Sequence, residues 1–158
     1  MSRTKLASVR KLVLGGIATA AVAVPLTMIA APAQAATLAG CTVTPLTPVV
    51  IGQVGGQPNV RFSTRVTCAP DRIVQIRDNR READAPAGVA GDFNYGTTTY
   101  LRTFAAQSTI LVATTDIVTS TENSNEEAYH RTSFRVATIN GVSNWTAFQN
   151  SPVLSVNN

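Results

Sequence analysis

The sequence lacks most of the residues from which catalytic and metal sites are built. It has a single histidine, His130, and only two cysteines, Cys41 and Cys68. It contains no G-x-S-x-G elbow, no H-E-x-x-H pair and no glycine-rich phosphate loop. A Ser-His-Asp triad would have to use His130, and a zinc site would lack a second imidazole. We therefore expect no catalytic residues, no metal and no cofactor, and interpret His130 as a hydrogen-bonded structural residue.

Lysine is absent after residue 11, and this absence changes the meaning of the net charge. Four of the thirteen lysines and arginines precede residue 12, which leaves nine arginines against nine aspartates and glutamates. The formal charge of residues 36–158 is therefore zero, although the whole chain carries +4. Because nucleic-acid binding depends on neutralising phosphates with excess positive charge, we expect no nucleic-acid partner.

The first 35 residues follow the pattern of a secretory signal peptide. A positively charged start is followed by an uncharged run over residues 12–31, which is rich in alanine and glycine and is interrupted by Pro25. The small-x-small motif Ala33-Gln34-Ala35 then offers a cleavage site. We expect residues 1–35 to be removed by the general secretory route. Residues 36–158 then form one secreted domain without a transmembrane segment.

The segment Leu38-Ala39-Gly40-Cys41 resembles a bacterial lipobox, in which the cysteine is lipidated and becomes the new N-terminus. The alternative is therefore a membrane-tethered lipoprotein modified at Cys41. Two features favour the free secreted form. The lipobox lies ten residues beyond the uncharged run, and Cys41 leads directly into a predicted strand rather than into a spacer.

An even number of cysteines in an exported domain favours a disulfide between Cys41 and Cys68. The geometry of such a bond requires Cα atoms about 4.4–6.8 Å apart. The loop that it closes holds about 28 residues, for which the chain-entropy model gives a stabilisation of about 3.6 kcal/mol.

Hydrophobic alternation with a period of two residues predicts strands along most of residues 36–158. The segment 59–68 alternates cleanly, with apolar residues and Cys68 on one face and Arg61 and Arg65 on the other. Residues 72–77 predict a short strand, residues 109–118 a central strand, and residues 78–92 and 119–127 loops. Seven to nine short strands without an amphipathic helix predict an all-β, two-sheet sandwich of immunoglobulin-like type. A small β-barrel is the alternative.

The dipeptide Asn140-Gly141 lies between two alternating runs, which predicts a hairpin with a type I′ turn. That register pairs Ile139 with Val142 and places Trp145 beside Phe134 on the core face.

The segment 91–96 is the best candidate for a ligand site in the predicted loops. Phe93 and Tyr95 share one side of an extended chain, and Asp92 and Asn94 share the other. Aromatic rings beside amide and carboxylate groups suit sugar recognition, whereas rings that only fill the end of the sandwich are the alternative. Asp92 with Asn94, or the loop over residues 119–127, also offers oxygen ligands for calcium, although neither has EF-hand spacing.

Four arginines predict a second candidate surface. Arg61 and Arg65 share the outer face of one strand, and Arg131 and Arg135 share that of another. If these strands are neighbours, the four guanidinium groups form one basic patch that binds phosphates or sulfates. The alternative is a solvated sheet face.

These observations favour a non-catalytic binding module at or outside the cell envelope, with a carbohydrate or cell-wall ligand first and a protein partner second. A small hydrolase is the alternative of a different class, because two carboxylates facing a cleft suffice for glycoside hydrolysis. Its candidate residues by type are Asp92, Asp116, Glu122, Glu126 and Glu127.

Overall fold

A computed structural model describes residues 33–83, 92–119 and 126–156, and within these ranges every regular element is a β-strand. The expected signal peptide lies almost wholly outside the described residues. The strands are β1 (Ala36–Leu38), β2 (Cys41–Pro45), β3 (Val49–Val54), β4 (Gln57–Cys68), β5 (Arg72–Glu82), β6 (Asn94–Phe104), β7 (Ser108–Ile117), β8 (Glu126–Thr138), β9 (Gly141–Val142), β10 (Gln149–Asn150) and β11 (Leu154–Val156).

The strands form two antiparallel sheets that pack face to face. In sheet A, β4 pairs with β7 along one edge and with β2 and then β3 along the other, and β1 extends the sheet beyond β2. In sheet B, β5 lies between β6 and β8, and the far edge of β8 pairs in turn with β9, β10 and β11. The expected all-β sandwich is confirmed, and its two sheets are compatible with an immunoglobulin-like type. The strand β7 pairs only with β4 in the described residues, so its expected central position is wrong.

The core is built by the strand alternation that the sequence displays. In β4, Val60, Phe62 and Val66 point inward and are fully buried, while Arg61 and Arg65 point outward and are exposed. The inward residues of both sheets form two apolar clusters, one around the disulfide and one around Phe62.

The disulfide between Cys41 and Cys68 is confirmed. The two residues lie opposite each other on β2 and β4, with Cα atoms 4.1 Å apart. This separation is just below the expected range. The adjacent pair, Gly40 and Ala69, is hydrogen-bonded, so the cysteines occupy a non-hydrogen-bonded position, at which antiparallel strands approach most closely.

The segment that resembles a lipobox is a tight β-hairpin. Leu38 at the end of β1 pairs with Cys41 at the start of β2. Ala39 and Gly40 between them have φ of 49° and 80°, the positive values of a type I′ turn.

The hairpin at Asn140-Gly141 differs from the prediction. Thr138 pairs with Gly141, so the turn residues are Ile139 and Asn140, and only Gly141 has positive φ, at 119°. The predicted pairing of Ile139 with Val142 is therefore wrong by two residues. Gly141, directly after the two-residue turn, adopts this positive φ without steric strain. The partner of Val142 is therefore Ala137 instead of Ile139.

Candidate functional site

A belt of polar side chains crosses the interior of the sandwich between the two apolar clusters. Its histidine, His130, is fully buried and lies 5.7 Å from the ring of Phe62. Its Nδ1 is 2.8 Å from Oδ1 of Asp78, and its Nε2 is 2.8 Å from the carbonyl oxygen of Leu46. Both ring nitrogens are thus used by the fold. His130 is a hydrogen-bonded interior residue, as interpreted from the sequence.

An ion pair completes the belt. Nε of Arg80 on β5 donates to Asp116 on β7, and its Nη1 donates to Thr98 at 2.8 Å. Gly96 makes room for this guanidinium, because a Cβ at that position would lie 2.7 Å from Nη2 of Arg80. Near the same belt, burial raises the pKa of the Tyr100 phenol, and the carboxylate of Asp78 adds to this rise.

Burial removes four acidic side chains from the surface. Asp78, Glu82, Asp92 and Glu126 are all less than a tenth exposed. Of the nine arginines in residues 36–158, only Arg80 is buried. Among the charged residues on the described surface, arginines therefore outnumber carboxylates, although the formal charge of residues 36–158 is zero.

Four of the surface arginines form a regular row on the outer face of sheet B. Two come from β5 and two from β8, and they alternate between these paired strands at every second position. We call this row the arginine ladder. Its four rungs, each an arginine with the residue opposite, are Arg135–Gln75, Arg77–Ser133, Arg131–Asn79 and Arg81–Tyr129.

Polar side chains on the same face hold three of the four ladder arginines by their Nε atoms. Nε of Arg135 donates to Oε1 of Gln75 at 2.8 Å. Nε of Arg81 and of Arg131 both donate to Oδ1 of Asn79, at 2.7 and 3.2 Å. The amide of Asn79 is itself fixed by donating to Asn94 on β6 at 3.0 Å.

Two aromatic rings from the segment after β9 support the guanidinium groups. The Cζ atoms of Arg77 and Arg135 lie 3.8 and 5.0 Å from the ring centroid of Trp145. The Cζ of Arg131 lies 4.7 Å from that of Phe148. The predicted core position of Trp145 is therefore wrong. Beyond the end of β9 at Val142, the N–H of Ser143 donates to Val136 and that of Thr146 donates to Phe134, so three residues of this segment advance against two of β8. This irregular segment leaves the Trp145 ring on the outer face, where cation–π contact stabilises the arginines.

The terminal nitrogens of the ladder remain available to a ligand. Within the described residues, neither Nη atom of Arg77, Arg131 or Arg135 has a hydrogen-bond acceptor, and none of these arginines forms an ion pair. A guanidinium that is oriented through Nε and a ring, with its Nη groups open, is prepared for bidentate binding of an oxyanion.

The predicted candidate residues of segment 91–96 divide between two surfaces. Phe93 is half exposed, and its ring contacts that of Tyr95, which packs against the apolar cluster around Phe62. Asn94 lies on the outer face of sheet B, and the carbonyl of Asp92 accepts from Nη1 of Arg81 at 3.4 Å. Asp92 and Asn94 thus support one end of the ladder, and Phe93 lies apart from it.

The other predicted surface is likewise divided. Arg131 and Arg135 belong to the ladder, but Arg61 and Arg65 lie on β4 in sheet A. The two strands are not neighbours, so the four arginines do not form one patch. Arg77 and Arg81 complete the ladder in place of the β4 pair. Within the described ranges, neither Arg61 nor Arg65 is stacked on an aromatic ring.

Two of the candidate carboxylates take part in contacts of the fold. Asp116 pairs with Arg80, and Asp92 accepts from the hydroxyl of Tyr129. Glu126 is buried, whereas Glu127 is exposed on β8. Glu122 lies outside the described residues. Across residues 33–83, 92–119 and 126–156, no three His, Cys, Asp or Glu side chains come together as a metal-binding group.

Comparisons with known proteins assign this chain to no family. No family model matches it, and no curated protein matches it. In the described part of the chain, no helix is long and apolar enough to cross a membrane. The function is therefore argued from the ladder itself.

Proposed function

We propose that the chain is an exported, non-catalytic binding module that acts at or outside the cell envelope, and that the arginine ladder is its ligand-binding face. The observation that carries this proposal is the set of open Nη groups on Arg77, Arg131 and Arg135, which are oriented by Trp145, Gln75 and Asn79. A carbohydrate or cell-wall polymer is the preferred ligand, because an exposed strand face with oriented polar groups suits an extended chain.

We propose that the chain is not a catalyst, because its ionisable groups are engaged in contacts of the fold. The only imidazole is buried and both its nitrogens are bonded within the fold. Asp116 is held by Arg80, and Asp92 by Tyr129. A carboxylate-dependent hydrolase needs two such groups facing a cleft, and these described carboxylates are directed at fold contacts instead.

Export without a lipid anchor is proposed from the disulfide and the first hairpin. The Cys41 sulfur that a lipid would occupy is bonded to Cys68. Cleavage at the lipobox would also remove β1, whereas cleavage after Ala35 leaves it whole. Mass spectrometry of the mature protein should show an N-terminus at or near Ala36. A diacylglycerol group on Cys41 would contradict the proposal.

The binding face is tested with residues 36–158, which contain every described strand. The experiment measures retention on a glycan array and on cell-wall fractions for the unmodified chain and two double variants. Arg131→Gln with Arg135→Gln should abolish retention. Arg61→Gln with Arg65→Gln removes the same charge at the same spacing from sheet A and should leave retention unchanged. Equal loss in both variants would refute the assignment of the face.

A further inference from the structure

The spacing of the ladder carries information about the shape of its ligand. Adjacent rungs are two residues apart, or about 7 Å along the strands, so the four arginines extend over about 20 Å. Because they alternate between β5 and β8, they form one narrow row rather than a cluster around a point. A single phosphate or sulfate engages one or two of these arginines, whereas a chain with repeated anionic groups engages several of them at once.

We propose that the ligand of the arginine ladder is a linear acidic polysaccharide, whose carboxylate or sulfate groups bind successive guanidinium groups along β5 and β8. This inference rests on the proposed function and names the ligand class of that face. Binding is then multivalent, because each further rung that is engaged adds to the affinity without a new loss of translational freedom.

The neighbouring side chains match a sugar backbone. On β6, Thr97 and Thr99 are exposed beside the ladder and lie opposite Asn79 and Arg77. Hydroxyl groups next to charged donors complement the hydroxyls of a polysaccharide between its acidic groups. At the Arg81 end, Glu127 points to the same face of β8 and is exposed, so like-charge repulsion limits the ligand there.

Single-stranded nucleic acid is the competing linear polyanion, and the aromatic contacts disfavour it. Proteins bind single strands by stacking bases on open aromatic rings. The rings on this face are engaged by guanidinium groups, with Arg77 and Arg135 on Trp145 and Arg131 on Phe148. The face thus offers positive charge, and its aromatic rings are already covered by guanidinium groups.

The test is a calorimetric titration of residues 36–158 with polygalacturonate, heparin, neutral dextran and oligothymidylate, at low and physiological salt. We expect binding to polygalacturonate or heparin that weakens with salt, and none to dextran. Stronger binding to polygalacturonate identifies carboxylates as the preferred groups, and stronger binding to heparin identifies sulfates. A disaccharide of the preferred polymer should bind at least about 100-fold more weakly, since it engages fewer rungs.

Variants separate the ladder from general charge attraction. Arg77→Gln and Arg131→Gln should each weaken binding about tenfold, and Arg61→Gln, which removes the same charge from sheet A, by less than about twofold. Equal losses in all three would overturn the inference, as would tighter binding to oligothymidylate than to either acidic polysaccharide. Dextran binding that depends on Arg131 and Arg135 would overturn the acidic ligand and leave the proposed function standing. If no probe binds while cell-wall fractions retain the chain, the ligand class is also wrong.

Discussion

Replacement of Trp145 is the most informative test of the arginine ladder. Its ring contacts the guanidinium groups of Arg77 and Arg135, with centroid distances of 3.8 and 5.0 Å. A cation–π contact at an exposed site contributes about 0.5–1 kcal/mol, so Trp145→Leu should lower the free energy of unfolding by about 1–2 kcal/mol. Urea denaturation followed by circular dichroism measures this loss.

The same substitution should weaken ligand binding by more than the loss of stability alone would suggest. Without the ring, Arg77 and Arg135 must be ordered when the ligand binds, at about 0.5–1.5 kcal/mol for each side chain. The total of about 1–3 kcal/mol corresponds to a dissociation constant roughly 5- to 150-fold higher. Calorimetric titration of the folded variant measures it.

Phe93→Leu is the matched control, because it removes a half-exposed ring that lies apart from the ladder. It should leave the affinity unchanged. If Trp145→Leu loses stability but binds as tightly as the unmodified chain, the ring does not position the arginines. If Phe93→Leu weakens binding instead, the site lies in the segment 91–96.

Three further predictions concern the interior. His130→Leu should cost about 1–3 kcal/mol of stability, because it leaves Oδ1 of the buried Asp78 without its hydrogen-bond partner. The double variant with Asp78→Leu should cost less than the sum of the two single changes in urea denaturation; additive costs would show that the pair is not coupled. Cys68→Ala should lower the free energy of unfolding by about 2–4 kcal/mol, and an unchanged midpoint would mean that the bridge does not form in solution. The raised pKa of Tyr100 means that its neutral form stabilises the fold fully below pH 10.0, and that this contribution is lost as the pH rises through the higher folded pKa. Tyr100→Phe should therefore reduce the fall in stability above pH 10 in thermal unfolding scans, and an identical alkaline profile would contradict this assignment.

The elements that were predicted correctly are those in which burial and alternation agree. In β4 the inward positions are apolar and the outward ones polar, so the period-two pattern is visible in the sequence. The disulfide followed from the cysteine count, because two cysteines in a domain that is expected to be exported favour a single bridge. The all-β class followed from the same patterns.

The strand β5 shows why alternation fails elsewhere. The sequence predicted a strand over residues 72–77 and a loop over 78–92, but β5 continues to Glu82. Its inward residues beyond Ile76 are Asp78, Arg80 and Glu82, which belong to the polar belt. With charged residues on both faces, no hydrophobic period remains. Arg81, which lies in this part of the strand, was missed as a ladder residue for this reason.

The hairpins show a second limit. The sequence favoured a type I′ turn at Asn140-Gly141, whereas positive φ at both turn residues occurs at Ala39-Gly40. Alanine rarely adopts that conformation, so the pairing of β1 with β2 overrides the local preference. Strand adjacency was the third limit. No local pattern showed that Arg61 and Arg131 belong to different sheets.

The fluorescence of Trp145 tests the central claim most directly, because it is the only tryptophan of the chain and lies within the ladder. A ligand that binds Arg77 and Arg135 changes the charge around the indole ring. We predict a saturable change in emission during titration with the preferred acidic polysaccharide, with the same midpoint as the calorimetric heat. Heat of binding that saturates while the emission of Trp145 stays constant would show that the ligand binds elsewhere and would contradict the account.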